Sequence, residues 1–236
     1  MKICVEKADE SKNKNGKIVG IDWNCRDEDF VVRSDGMKIK CPRYLQKSSK
    51  QLKHWQKIIS KRYAKGLQIQ SSNYEKAKRK VALLHEHVSW QRKDFLHKES
   101  RKLCNEFQTV VCEDINLQNM AENLNHGKVV GDQGLGMFRQ MVSYKGDLQK
   151  VSPKNTSKTC HVCGYVNPKV KVGVNFWKCP VCSSEHDRDI NAALNILSKY
   201  VTSRSIVGQE ATEITNACGE PRSSVKQESE QTSLVF

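Results

Sequence analysis

Residues 179–197 read CPVCSSEHDRDINAALNIL, and they join a pair of cysteines to a stretch that starts with acids and continues with a helical pattern. Apolar residues recur at helical spacing and predict one buried helix face: Ile190, Ala193, Leu194 and Leu197. The acids Asp187 and Asp189 stand at the predicted helix start, where the helix dipole favours an ionised carboxylate. An Asp at the start of a helix ordinarily serves as its N-terminal cap, and this is the role that we favour for Asp187.

A second pair of cysteines precedes this stretch and completes the pattern C-x2-C-x15-C-x2-C. The four residues are Cys160, Cys163, Cys179 and Cys182. At this spacing two cysteine knuckles can close a tetrahedral thiolate site around one Zn²⁺, and such a closed site is structural rather than catalytic. Two disulfides are the alternative. His161 and His186 are near enough to serve as ligands, but a complete set of four thiolates leaves them unneeded.

Two further acids stand upstream in short apolar runs that are typical of strand ends. Asp22 occurs in VGIDWN and Glu113 in VVCED. A single strand-end acid has little meaning, but Asp22, Glu113 and Asp189 in this order could together hold two divalent cations for phosphodiester hydrolysis. Successive side chains of a strand point to opposite faces, so only one of Glu113 and Asp114 is expected to enter such a cluster.

The ordered acids and the cysteine pattern resemble the TnpB/OrfB family of insertion-sequence proteins, relatives of the type V CRISPR effectors. The resemblance runs through most of residues 16–200. Its most specific stretches are VSPKNTSKTCHVCGY (151–165), WKCPVCSSEHDRDINAALNI (177–196) and ATEITNACGE (211–220). It implies an RNase H-like (RuvC) α/β fold with a mixed sheet, an inserted basic helical hairpin and an inserted Cys4 zinc ribbon.

The same resemblance assigns roles to residues. It selects Glu113 over Asp114 and Asp189 over Asp187, so that Asp22, Glu113 and Asp189 are the expected catalytic residues and the expected ligands of two Mg²⁺. It also implies cleavage of DNA directed by a guide RNA, with DNA and guide RNA as partners.

Changes of pattern along the chain predict its organisation. We expect a remnant of an N-terminal region over residues 1–16, a RuvC-like core over 17–156 with the helical hairpin at 46–107, a zinc ribbon over 157–186, a last core helix over 187–202 and a disordered tail over 203–236. Between Lys145 and Leu148 the chain is about five residues shorter than the family pattern, which predicts a tight connection from helix to strand.

The predicted hairpin carries many basic residues outside its apolar face. One interpretation is an ordinary solvated surface; the other is a surface that follows a phosphate backbone, which the single sign of the charge favours. The candidate nucleic-acid-binding residues are Lys53, Lys57, Lys61, Arg62, Arg79, Lys80 and Arg92.

The composition agrees with a polyanionic partner. The chain has 40 Lys and Arg and 26 Asp and Glu, so its formal net charge is +14. This positive charge is more than solubility requires. The chain has no apolar run near the roughly 20 residues that span a bilayer, and its first residues lack the apolar core of a signal peptide. Ten cysteines without a secretory signal favour a reducing, cytoplasmic setting in which thiolates bind metal.

Two functions follow from these observations. The first is an Mg²⁺-dependent DNA endonuclease domain of a transposon protein, guided by RNA when the protein is complete and linked to transposition and recombination. The second is a truncated, nuclease-inactive zinc-ribbon protein that binds nucleic acid. The three retained acids favour the first function, and the short region before Asp22 favours the second.

Overall fold

Five strands form one mixed sheet in a computed structural model of the chain, which describes residues 15–24, 28–116, 132–171 and 173–206. The strands are β1 (Ile18–Trp23), β2 (Asp29–Arg33), β3 (Lys38–Lys40), β4 (Thr109–Glu113) and β5 (Asp147–Val151), in the spatial order β3-β2-β1-β4-β5. β1 to β3 form an antiparallel meander, whereas β4 is parallel to both β1 and β5. The predicted mixed α/β sheet is therefore present.

A tight turn joins β2 to β3. Gly36 has a φ of 86°, a conformation that glycine adopts without the steric cost that a side chain imposes. The amide of Arg33 donates to the carbonyl of Met37 across the turn at 2.9 Å. The residues Ser34, Asp35 and Gly36 thus form the turn that connects the last two strands of the meander.

Three helices precede the last one: α1 (Tyr44–Arg62), α2 (Ser72–Glu106) and α3 (Leu135–Lys145); α2 and α3 cover one face of the sheet, whereas α1 packs against α2. The first two form the predicted hairpin, with bounds close to the expected 46–107. Burial of apolar area between these helices and the sheet stabilises the fold. The core there contains Val19, Ile21, Trp23, Val110 and Cys112 from the strands and Leu96, Leu103, Phe138 and Val142 from the helices.

The opposite face of the sheet is covered by α4 (Arg188–Ile206). Its Ile196 and Tyr200 form a smaller core with Val111 of β4. The helix extends past residue 202, so the boundary that the sequence predicted for the tail is too early and residues 203–206 are helical. The rest of the predicted tail, and residues 1–14 of the predicted N-terminal remnant, lie outside the described residues.

Only Gly146 separates α3 from β5. A Cβ atom there would lie 2.9 Å from Sγ of Cys104, so glycine permits the close approach of the connection to α2. All five residues of β5 pair with β4. The short connection between Lys145 and Leu148 is therefore compatible with a fully paired edge strand.

A second, two-stranded antiparallel sheet lies within the cysteine region. Its strands are β6 (Phe176–Lys178) and β7 (Glu185–Asp187). β7 runs into α4 without an intervening residue, so the position of the helix start depends on this small sheet. No helix within the described ranges is long and apolar enough to cross a membrane.

Candidate functional site

The parallel pairing of β1 with β4 places two acids side by side. Ile21 pairs with Cys112, and the next residues along the two strands are Asp22 and Glu113. Ile21 and Cys112 belong to the core on the hairpin side of the sheet. Because side chains alternate along a strand, Asp22 and Glu113 face the other side, which α4 covers.

The third acid approaches from that helix. Asp189 lies in the first turn of α4, and one of its carboxylate oxygens accepts a hydrogen bond of 2.9 Å from the side-chain amide of Asn24, one residue beyond β1. The contact connects the end of the central strand to the start of the helix. Asp189 is thereby held near the end of β1.

The charges of the three acids interact. Although Asp22 keeps some contact with solvent, the atoms packed around its carboxyl raise its pKa well above the ordinary value, and the negative charges of Glu113 and Asp189 raise this pKa further. Arg188 opposes the shift. The carboxylates and the Arg188 guanidinium therefore share one electrostatic environment, in which added positive charge favours the ionised acids.

Glu113 is the most enclosed of the three acids, with only 7% of its surface exposed. Burial raises the pKa of its carboxyl, and a hydrogen bond from the Thr156 hydroxyl partly offsets this rise. Lys199 and Arg188 lower the pKa of Glu113 as well. A buried carboxylate requires such partners, since it has lost its hydration.

The two competing acids have other partners. Oδ1 of Asp187 accepts from the amides of Asp189 and Ile190, at 3.0 and 3.3 Å, so Asp187 is the N-cap of α4. Its other oxygen lies 2.6 Å from Nζ of Lys38. Asp114 is 60% exposed and pairs with Lys150 at 3.1 Å.

The four predicted cysteines meet in the ribbon. Sγ atoms of Cys160, Cys163, Cys179 and Cys182 all lie within 4.8 Å of one another, and among the described residues they form the one group of three or more His, Cys, Asp or Glu atoms able to hold a metal ion. The three carboxylates do not form a second such group, although their charges interact.

The sulfur distances exclude the disulfide alternative in this structure. Cys160 lies 3.6 Å from Cys182, and Cys163 lies 3.6 Å from Cys179, whereas a disulfide bond is about 2.05 Å long. All four thiols are free. The hydroxyl and amide of Ser184 lower the pKa of the Cys182 thiol to about 6, whereas burial raises the pKa of the Cys160 thiol to about 12. A metal ion binds the thiolate form.

The two nearby histidines do not belong to the cluster of four cysteines: His186 lies beside it, and His161 packs against His186. Nε2 of His186 lies 3.1 Å from Sγ of Cys160, and its ring packs between those of Trp177 and His161. Burial lowers the pKa of His186. Both histidines therefore have packing roles beside the four thiols.

Two buried asparagines of α4 tie the ribbon to the helix, and the sequence analysis had not assigned them a role. The side chain of Asn191 donates to the carbonyl of Thr159 and accepts from the amide of His161, at 2.8 and 3.0 Å. Asn195 donates to the carbonyls of Thr156 and Thr159. Amides on an otherwise apolar helix face are the signal that could have identified them.

Most of the predicted nucleic-acid-binding residues are exposed on α1 and α2. Exposed are Lys53, Lys57, Lys61, Arg62, Arg79 and Lys80. Arg92 differs, since its guanidinium pairs with Asp132 at 3.0 Å and is only 20% exposed. A groove between the two helices is lined by Lys50, Gln51, His54, Trp55, Lys80, Leu83 and Leu84.

Comparisons with known proteins assign the chain to a family. Residues 2–124, just over half of the chain, match OrfB_IS605, described as "Probable transposase", and residues 136–196 match the TNB domain of Cas12f1-like proteins. A solved ternary complex of CRISPR-Cas12f is similar in fold, with a TM-score of 0.52 and 22% identity over 83% of this chain and 41% of that one.

Two similar curated proteins are matched over only about half of their own length. "Putative RNA-guided DNA endonuclease" of Streptomyces pristinaespiralis is 37% identical over 89% of the chain and 52% of its own length. "Putative RNA-guided DNA endonuclease InsQ" of Escherichia coli is 27% identical over 86% of the chain and 56% of its own length. The chain thus spans about half the length of these relatives, and it belongs to the TnpB/OrfB family of insertion-sequence proteins.

Proposed function

We propose that this chain is the nuclease part of a transposon-encoded, RuvC-like DNA endonuclease, which an RNA guides in the complete protein. The observation that carries the proposal is the convergence of Asp22, Glu113 and Asp189 on one side of a mixed sheet, with charges that interact. The names of its relatives, RNA-guided DNA endonucleases, give the substrate class and the guide.

The proposed chemistry is hydrolysis of a phosphodiester. Two Mg²⁺ held by the three carboxylates would supply an activated water and stabilise the leaving oxygen. The fit is supported by hard oxygen donors, which Mg²⁺ prefers, and by the negative charges of Glu113 and Asp189, which add to burial in raising the pKa of Asp22. Asp22 and Glu113 provide ligands from rigid strand ends, and Asn24 orients Asp189.

We further propose that the four thiols bind one structural Zn²⁺. Tetrahedral Zn–S bonds of about 2.3 Å place sulfur atoms about 3.8 Å apart, close to the 3.6 Å that separates Cys160 from Cys182 and Cys163 from Cys179 in the structure. Four protein ligands leave no open position, so the ion would stabilise the ribbon without taking part in hydrolysis. Reduced thiols fit a cytoplasmic location.

The exposed basic residues of α1 and α2 are proposed to contact the phosphate backbone of DNA or guide RNA. Six of the predicted residues are exposed, although the Arg62 guanidinium donates to the carbonyl of Asn73 at 2.9 Å, while Arg92 pairs with Asp132. Such contacts supply affinity that depends on salt and not on sequence. Trp55, at the groove between the helices, adds an aromatic surface beside Lys50 and Lys80.

A nuclease-inactive nucleic-acid-binding protein is the second candidate. It is supported by the separation of the carboxylates, which do not form a ligand group of the kind that the thiols form. In this case the ribbon and the basic hairpin would hold nucleic acid without cutting it.

Cleavage of end-labelled DNA by the zinc-loaded chain tests the first proposal. The chain is incubated with single- and double-stranded DNA in Mg²⁺, with and without Glu113→Gln and Asp189→Asn. We expect Mg²⁺-dependent products from the wild type and a loss of at least about a hundredfold in either variant, since removal of a metal ligand removes charge stabilisation in the transition state.

Asp114→Asn is the matched control, because it neutralises the neighbouring acid that is exposed and paired with Lys150. It should cleave at the wild-type rate. Equal cleavage by wild type and Asp189→Asn contradicts the assignment of the acids. DNA binding without cleavage by the wild type, in each DNA form, favours the second candidate.

A further inference from the structure

Thr156 lies in the turn between β5 and the first cysteine knuckle, and it is almost fully buried, with 3% exposure. Its hydroxyl contacts Oε1 of Glu113 and lies 3.1 Å from the carbonyl of Pro153. A hydroxyl has one proton to donate, and an ionised carboxylate is the stronger acceptor of the two. The hydroxyl therefore engages one of the two oxygens of Glu113.

The turn that carries Thr156 is fixed to α4 by two side chains of the helix. The amide of Asn195 donates to the carbonyl of Thr156 at 2.8 Å. The ammonium group of Lys199 donates to the carbonyls of Ser152 and Lys154, at 2.9 and 2.5 Å. Thr156 consequently lies between β4, which carries Glu113, and the helix that carries Asp189.

We propose that Thr156 is a positioning residue that orients the Glu113 carboxylate toward Asp22 and Asp189. The inference rests on the proposed function, because it assigns Thr156 a role in holding a metal ligand. A glutamate has three rotatable side-chain bonds, and a hydrogen bond to one oxygen restricts the direction in which the other points. Partners of this kind typically alter metal affinity or activity by about 10- to 100-fold when they are removed.

The test measures binding of Mn²⁺, a paramagnetic substitute for Mg²⁺, to the full zinc-loaded chain by electron paramagnetic resonance. Thr156→Val removes the hydroxyl with little change of shape, and Thr156→Ser keeps it. We expect the Val variant to bind Mn²⁺ about 10- to 100-fold more weakly and the Ser variant to bind nearly as the wild type does.

Thr159→Val is the matched control three residues further along, because the Thr159 hydroxyl donates to the carbonyl of Asn155 and, among the residues that the structure describes, not to an acid. It should leave Mn²⁺ affinity unchanged. Circular dichroism checks folding, and Thr156→Ala repeats the test in a smaller side chain if the Val variant is unfolded.

Glu113→Gln separates the failure of this inference from the failure of the proposed function. If Mn²⁺ binding is weakened by Glu113→Gln but is unaffected by loss of the Thr156 hydroxyl, the positioning role is overturned and the metal site stands. If wild type and Glu113→Gln bind Mn²⁺ equally, the metal site at Glu113 is overturned, and the role of Thr156 falls with it.

Discussion

At the scale of single residues, the acidic cluster formed by Asp22, Glu113 and Asp189 lowers the stability of the folded chain, although the proposed metal binding requires it. Asp22 is surrounded by protein atoms and by the charges of Glu113 and Asp189, all of which raise its pKa. An acid with a raised pKa binds a proton more tightly in the folded chain than in the unfolded chain. The ionised cluster therefore destabilises the protein when no cation is bound.

Asp22→Asn should stabilise the zinc-loaded protein at neutral pH without added Mg²⁺, by about 0.5–2 kcal/mol. The gain should be small near pH 4, close to the pKa of an unfolded Asp. It should grow as the pH rises toward the raised pKa of folded Asp22, because only the wild type must then bury a charge. Thermal melts across this pH range measure the difference.

Asp114→Asn is the control for this prediction as well, since an exposed carboxylate has no comparable desolvation. Added Mg²⁺ should narrow the gap between wild type and Asp22→Asn, because only the wild type gains a full set of ligands. Equal stability of the wild type and Asp22→Asn at every pH would contradict the prediction that the ionised acidic cluster destabilises the fold.

At the scale of elements, the contact of β1 with α4 sets where Asp189 lies. A Cβ atom on Gly20 would lie 2.3 Å from the carbonyl oxygen of Ala193 and 2.9 Å from the amide nitrogen of Leu197. These are backbone atoms of the helix, which cannot rotate away as a side chain can. The helix approaches the strand this closely because glycine occupies the position.

Gly20→Ala should lower the free energy of unfolding by about 1–3 kcal/mol, the usual cost of an extra methyl group in a packed core. Because α4 must move outward to admit the methyl group, the variant should also lose the proposed nuclease activity. Denaturant unfolding and the DNA cleavage assay measure the two effects. An unchanged unfolding midpoint would show that the helix can shift without cost.

At the scale of the whole molecule, the cysteine ribbon is joined to the acidic cluster by the chain and by side chains. β7 leads directly into α4, whose N-cap is Asp187. Asn191 and Asn195 donate hydrogen bonds to the carbonyls of Thr156 and Thr159, which lead into the ribbon's first knuckle. Unfolding of the ribbon should therefore destabilise the helix that carries Asp189.

Removal of the proposed zinc with a chelator should expose the amides of the ribbon and of the first turns of α4 to hydrogen exchange, because a small ribbon has little core apart from a bound metal. Hydrogen exchange read by mass spectrometry, before and after chelation, measures this. Peptides of α1 serve as the internal control. Unchanged protection of α4 in the zinc-free protein would mean that the helix is held without the ribbon.

The sequence by itself determined the features whose cause is local. The cysteine spacing specified the thiol cluster, since ligands within a knuckle are neighbours in the chain. Helical and strand periodicity gave the hairpin and the central strands, and helix-capping chemistry gave the role of Asp187. The end of α4 was misplaced because residues 203–205 are polar and a single apolar residue, Ile206, gives no periodic signal.

Only the tertiary structure decided which distant groups meet. The register of β1 on β4 places Asp22 beside Glu113, and the packing of α4 brings Asn24 to Asp189 and the Thr156 turn to Glu113. Arg92 was predicted to bind nucleic acid, yet the fold gives it Asp132 as a partner. Such contacts join residues far apart in the chain, so they depend on backbone pairing and packing that no local pattern of residues records.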